Sequence, residues 1–166
     1  MAMIAEDMAD AIIEKVKNST DADNSMNKFY EALCEYVEEN AEVTYSWAGA
    51  NPLGVPDPTT EINAKIKTTG SLKPSGASDC DSALKQLSAD LNTEAAQWKI
   101  EWPSDFTLGS AFVIPSIEIT ASKKTEQKEA WVAVCEQIIE GIKEATPSVS
   151  GTHSSYTGTA SFTKIT

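Results

Sequence analysis

Apolar residues recur every three or four positions in two stretches near the start of the chain, which predicts two amphipathic helices. The first is predicted over residues 3–18. The second follows the polar segment NSTDADNS (18–25), with Asn24 or Ser25 as its N-cap. The apolar stripes are Met3, Ile4, Met8, Ile12 and Val16 in the first helix, and Met26, Phe29, Tyr30, Leu33 and Val37 in the second. Each helix is therefore expected to bury one face and to expose its acidic residues.

Two further helices are predicted in the second half of the chain. Ser78, Asp79 or Asp81 caps the third, and the segment WPSD (102–105) ends it, because the residue before a proline avoids the helical region. The fourth is predicted to begin near Thr125 and to stop at Pro147. Their apolar stripes are Leu84, Leu87, Leu91, Ala95 and Trp98, and Trp131, Val134, Cys135, Ile138 and Ile142.

Four segments have the composition or alternation of strands. Residues 43–47 are rich in β-branched and aromatic side chains, and residues 60–70 alternate apolar with polar positions. Residues 106–122 are strand-like but contain Pro115, which favours an edge strand, a bulge or two short strands. Residues 155–165 form a terminal strand, predicted to place Tyr156, Gly158, Ala160, Phe162 and Lys164 on one face and Thr157, Thr159, Ser161, Thr163 and Ile165 on the other.

These elements predict an α+β fold, with residues 1–166 forming a single compact domain of about four amphipathic helices on an antiparallel or mixed sheet. The segment ALCEYVEEN (32–40) resembles AVCEQIIEG (133–141) at an offset of 101 residues. A duplicated helix–strand unit, 26–48 and 128–165, would explain the similarity. Chance would also explain it, because any two amphipathic helices share a pattern.

The charge balance excludes several kinds of partner. The chain has 13 lysines, no arginine and 25 acidic residues, for a net charge of −12. Such a chain repels polyanions at long range and lacks the side chain best suited to phosphate recognition, so we expect no direct contact with nucleic acid or an anionic membrane. No apolar run is long enough to insert in a membrane, and the N-terminus lacks the pattern of a signal peptide. We therefore expect synthesis in the cytoplasm.

Catalytic and metal-binding patterns are weak. The single histidine, His153, has serines at 154 and 155, but adjacency in sequence provides no catalytic geometry, and we interpret it as a loop or strand-start residue. Asp21, Asp23 and Ser25 begin like a calcium loop, but Met26 and Ala32 occupy the positions that require glycine and glutamate. Three widely spaced cysteines imply neither a disulfide framework nor a metal site. The sequence thus predicts no enzyme activity, catalytic residue, cofactor or metal.

Some segments of the sequence are not explained by packing in a hydrophobic core and have the character of interaction surfaces. Two loops rich in proline or glycine, 48–60 and 70–78, and the terminal strand have the character of contact elements. Trp98 and Trp131 lie on apolar helix faces and are predicted to be core residues. The predicted interface residues are Trp47, Pro52, Leu53, Val55, Pro56, Trp102, Tyr156 and Phe162.

Both ends of the chain resemble small structural proteins of tailed-bacteriophage virions. The resemblance lies in MAMIAEDMADAIIEKV (1–16), in VTYSWAG followed by a P-x-P segment (43–58), and in PSVSGTHSSYTGTASFT (147–163). It implies a non-enzymatic component of the outer capsid, neck or tail, made in the host cytoplasm and located in the virion. Its partners would be other virion proteins or copies of itself.

Two alternatives stay open. One is a small acidic cytosolic binding or inhibitor protein that targets a basic partner, for which strong salt dependence of binding would be diagnostic. The other is an enzyme whose site consists of scattered carboxylates, which no second motif supports.

Overall fold

Four helices and six strands make up the described part of the chain, which in this computed structural model comprises residues 2–74, 76, 79–109, 116–120, 126–144 and 148–166. In chain order they are α1 (Ala5–Val16), α2 (Ala22–Asn40), β1 (Glu42–Ala50), β2 (Glu61–Lys67), α3 (Cys80–Ala95), β3 (Lys99–Glu101), β4 (Phe106–Leu108), α4 (Gln127–Lys143), β5 (Val149–His153) and β6 (Tyr156–Ile165). The predicted α+β class, with four helices and one sheet, is confirmed.

The six strands form one curled sheet in the order β3-β2-β1-β6-β5-β4, and every neighbouring pair is antiparallel. β3 and β4 occupy opposite edges, although only residues 102–105 separate them in the chain. An extended chain advances about 3.4 Å per residue, so this connection spans at most about 17 Å between the two edges. The sheet must therefore curl until its edges approach each other.

Two of the helices contact the sheet directly, and a third packs on both of them. α1 packs against α2 and α4, α2 contacts β2, and α4 contacts β6. Val43, Tyr45 and Trp47 of β1 are buried, while Ser46 and Ala48 on either side of Trp47 are exposed, as alternation along a strand predicts. Thr44 departs from this alternation and is also buried. On β2 the predicted alternation of buried Ile62, Ala64 and Ile66 with polar residues is also confirmed.

The N-terminal cap differs from prediction in one helix and agrees with it in another. The N-cap of α2 is Asp21, whose carboxylate accepts the Asn24 backbone N–H at 2.8 Å, so the prediction of Asn24 or Ser25 was wrong. The cap of α3 is Asp79, as predicted, and it accepts the Ser82 N–H at 2.8 Å.

The end of α3 lies earlier than predicted. The helix stops at Ala95, and residues 99–101 form β3, so Trp98 is a core residue just beyond the helix and not part of its stripe. Ile100 pairs with Ile66 in the sheet and is buried there. Burial of Ile100 on a strand outweighs continuation of the helix to residues 102–105.

The segments around the predicted third strand and the fourth helix are described in part. Residues 106–108 form β4, and residues 116–120 belong to no helix or strand. The fourth helix begins at Gln127, close to the predicted start near Thr125. The predictions concerning Pro115 and the stop at Pro147 fall outside the described residues. β1 extends beyond the predicted 43–47 as far as Ala50. The proposed helix–strand duplication stays a prediction.

The terminal segment is a hairpin and not a single strand. Residues 154 and 155 form its two-residue turn, with Ser154 at φ 52°. A β-bulge at Thr163 shifts the register, because Tyr45 pairs with Phe162 while Thr44 pairs with Lys164. The bulge turns Ile165 to the same buried side as Ala160, so the prediction that these two residues lie on opposite faces was wrong.

Candidate functional site

The connection between β1 and β2 begins with a compact turn of residues 51–56, called here the tip. The Asn51 side-chain oxygen accepts the backbone N–H groups of Leu53 at 3.0 Å and Val55 at 2.9 Å. The Asn51 N–H donates to the Val55 carbonyl, and the Gly54 N–H donates to the Asn51 carbonyl, both at 2.9 Å. Gly54 has φ +80°, a left-handed conformation that glycine adopts without steric cost. These bonds fix the backbone of the tip.

The tip presents apolar side chains to solvent. Leu53 is 88% exposed and Val55 is 51% exposed, and Ile4 is the other large apolar residue that is exposed in the described part of the chain. Pro52 and Pro56 are exposed beside them. The structure thus brings together four of the residues predicted from sequence to form an interface, on a backbone that is already ordered.

The base of the tip rests on the buried carboxylate of Asp57, whose side chain is 1% exposed. One of its oxygens accepts the indole N–H of Trp47 at 2.8 Å, and the other accepts the Thr59 backbone N–H at 2.9 Å. The Asp57 N–H donates to the Gly49 carbonyl at 2.8 Å. Asp57 therefore joins the end of the tip to β1 through both its backbone and its side chain.

His153, at the end of β5, lies between two carboxylates. Its Nδ1 is 2.5 Å from Asp57 and its Nε2 is 2.9 Å from Asp105 in the β3–β4 connection. The imidazole also stacks on Phe106, with ring centroids 4.1 Å apart and planes 7° apart. We call Asp57, His153 and Asp105 the Asp–His–Asp cluster.

The cluster shifts the pKa values of its members in opposite directions. The hydrogen bond to Asp57, followed by the bond to Asp105, raises the pKa of His153 against the opposing effect of desolvation. Desolvation acts to raise the pKa of Asp57, but the combined hydrogen bonds from His153, Thr59 and Trp47 outweigh it and lower that pKa. Both shifts favour the charged forms.

This geometry corrects the interpretation of His153 as a loop or strand-start residue. It ends a strand and links three segments distant in the chain. Because both of its ring nitrogens face carboxylates, neither is free to accept a proton from Ser154 or Ser155, which form the adjacent turn. In this geometry neither serine is paired with His153 as a nucleophile with its base.

The four aromatic residues predicted to form an interface occupy different environments in the structure. Trp47 is 3% exposed and its indole N–H is satisfied by Asp57, so a contact role for Trp47 does not fit the structure. Trp102 and Phe162 are half-buried and pack edge-on against Tyr45, at centroid distances of 4.8 and 5.9 Å. Tyr156 is half-buried beside His153. These three retain partial surfaces, whereas Trp47 belongs to the core.

Other chemistry in the described residues is limited. An open apolar cleft of about 350 Å³ lies between α2, α3 and α4 and is lined in part by Met26, Phe29, Leu84 and Trp131. Within the described ranges, no group of three or more His, Cys, Asp or Glu residues is arranged to hold a metal ion. In those ranges, too, every helix is too short or too polar to cross a membrane.

Sequence reasoning missed Asp57 and Asp105. Asp57 stands between two prolines and Asp105 follows a proline by two residues, patterns that indicate turns and carry no information about a histidine 96 or 48 positions away. Fold and site together define an acidic α+β domain with a preorganised apolar tip. Comparison with protein-family models, curated protein sequences and solved structures gave no match.

Proposed function

We propose that this protein is a non-enzymatic structural or assembly protein of a tailed-phage virion, in the outer capsid, neck or tail. In this proposal the tip docks on another virion protein or on a copy of the same chain. The observation that carries the proposal is the pair of exposed apolar side chains, Leu53 and Val55, on a backbone fixed by Asn51.

A fixed apolar tip is suited to docking for two energetic reasons. Full burial of a leucine or valine side chain contributes about 1.5–3 kcal/mol each. Association also costs conformational entropy when a loop must be ordered, and this cost falls when the loop is already ordered. Asn51 and the base at Asp57 supply that order before any partner arrives.

The charge and the sequence resemblance support the virion assignment within this proposal. A net charge of −12 is compatible with a position away from packaged DNA. The segments that resemble small virion proteins include the tip, which lies in 43–58, and the β5–β6 hairpin, which supplies His153 at the base of the tip.

The charge also favours the second candidate, an acidic protein that binds and inhibits a basic partner. Twenty-five acidic residues against 13 lysines would steer such a complex electrostatically. Raising the salt concentration would then weaken binding strongly, whereas apolar docking through the tip depends little on salt.

Replacement of the exposed apolar side chains of the tip tests the proposal directly. We expect the double variant Leu53→Ser/Val55→Ser to fold normally but to be lost from particles of the phage that encodes the chain, as measured by quantitative mass spectrometry of purified particles. Ile4→Ser is the matched control, because Ile4 is as exposed as Val55 but lies outside the tip. It should be incorporated like the wild type.

Two results would contradict the proposal. Absence of the wild-type chain from purified particles would remove the virion assignment. Normal incorporation of the double variant would remove the tip as the docking element. Capture by a basic protein that is lost in high salt would instead support the inhibitor alternative.

A further inference from the structure

We propose that the Asp–His–Asp cluster is a proton-dependent lock, which holds the β3–β4 connection against the end of β5 only while His153 is protonated on both ring nitrogens. The connection, residues 102–105, joins the two edges of the curled sheet. The lock would therefore control how firmly the sheet is closed. This inference does not depend on the proposed virion function.

The need for the doubly protonated ring follows from the donor count. An ionised carboxylate offers only acceptor lone pairs, and both ring nitrogens of His153 lie within 3 Å of a carboxylate oxygen. A neutral imidazole has one N–H, so one of the two contacts would place a nitrogen lone pair against a carboxylate. With both carboxylates ionised, the observed arrangement therefore requires the imidazolium form.

The groups around His153 favour that form. The titratable and charged groups that face it are Asp57 from the β1–β2 connection, Asp105 from the β3–β4 connection and the phenol of Tyr156 from β6. β4 contributes the Phe106 ring, whose face attracts a cation. β1 contributes Trp47, whose N–H holds the same Asp57 oxygen as Nδ1 does.

Burial decides which contact opens when the proton leaves. Asp57 is buried, so loss of its bond to Nδ1–H would leave a desolvated carboxylate with one donor fewer. Asp105 is 57% exposed and can turn into water. The Nε2 proton is therefore the one released to solvent, and Asp105, facing a bare nitrogen lone pair, moves away with the connection.

The single histidine makes the lock directly measurable. One imidazole C2–H resonance reports its titration by NMR, and the backbone amides of residues 104–106 report the position of the connection. We expect these amides to shift with the same midpoint as the imidazole, and we expect that midpoint to lie above the ordinary value of 6.5. An imidazole midpoint at or below 6.5, or amides that do not follow it, would overturn the inference.

Asp105→Asn separates the lock from a general charge effect. The amide can accept from the charged ring or donate to the neutral one, so the contact no longer requires the second proton. We expect a lower His153 pKa and loss of the coupled titration of amides 104–106. Glu118→Gln removes the same charge at an exposed position outside the cluster and should leave both signals as in the wild type. Equal effects of the two variants would contradict the lock.

Discussion

At the scale of single residues, one buried hydroxyl group forms hydrogen bonds to two segments distant in the chain. Tyr30 of α2 is buried, and its hydroxyl donates to the Thr69 carbonyl at 2.7 Å while accepting the Trp98 indole N–H at 3.1 Å. Burial raises the pKa of Tyr30 well above its usual range, which keeps the phenol neutral. The Tyr30 hydroxyl thereby holds Thr69, which follows β2, and Trp98, which follows α3, against α2.

Removal of this hydroxyl should destabilise the protein more than its size suggests. Tyr30→Phe leaves a buried N–H and a carbonyl without this partner, which costs about 1–3 kcal/mol. Urea unfolding measures the loss. Tyr45→Phe is the control, because Tyr45 is equally buried but its hydroxyl bonds none of the described residues. A loss no greater than that of the control would show that Trp98 and Thr69 find other partners.

At the scale of elements, the β5–β6 hairpin positions both His153 and the bulge that buries Ile165. Its turn contains the one non-glycine residue with a positive φ in the described chain, Ser154. Two-residue hairpin turns favour glycine at such a position because a side chain clashes with the backbone there. Ser154 is therefore strained, within the same hairpin that positions His153 in the Asp–His–Asp cluster.

Ser154→Gly should stabilise the hairpin. Relief of the left-handed conformation gains about 1–2 kcal/mol, and the greater freedom of glycine in the unfolded chain costs about 0.5–1 kcal/mol. A net increase in the free energy of unfolding is expected from urea titration. Ser155→Gly has the same entropy cost but relieves no left-handed conformation, so it should destabilise the protein. Equal changes in the two variants would contradict the assignment of strain to residue 154.

At the scale of the whole molecule, the Asp–His–Asp cluster shapes the dependence of stability on pH. The folded-state pKa of His153 is raised, so its contribution is complete below the ordinary value of 6.5 and is lost as the pH rises through the folded pKa. The folded-state pKa of Asp57 is lowered, so its contribution is present above the ordinary value of 3.8 and is lost as the pH falls through the folded pKa. Stability should be greatest between these limits.

Urea unfolding measured from pH 3 to pH 9 checks this profile. We expect the free energy of unfolding to fall on the alkaline side in the wild type, and we expect His153→Gln to flatten that side while lowering the maximum. An alkaline decline that is identical in His153→Gln would assign the effect to other groups.

Much of the fold was predictable because its signals are local. The stripe of α2, the alternation of Ile62 and Ile66 in β2, and the cap at Asp79 each depend on residues within a few positions of one another. The exposed loop residues Leu53 and Val55 were also predicted from composition alone. The fixed backbone of the tip was not predicted, although the hydrogen bonds made by Asn51 are local.

The sequence by itself determined the helical and strand periodicities, the apolar faces and the acidic, arginine-free character of this protein. Only the tertiary structure decided that residues 99–101 join the sheet, that a bulge turns Ile165 inward and that His153 meets Asp57 and Asp105. The physical reason is separation along the chain. Periodicity records which side chains share a face of one element, whereas these contacts depend on strand order and register, which bring together residues that are 48 and 96 positions apart.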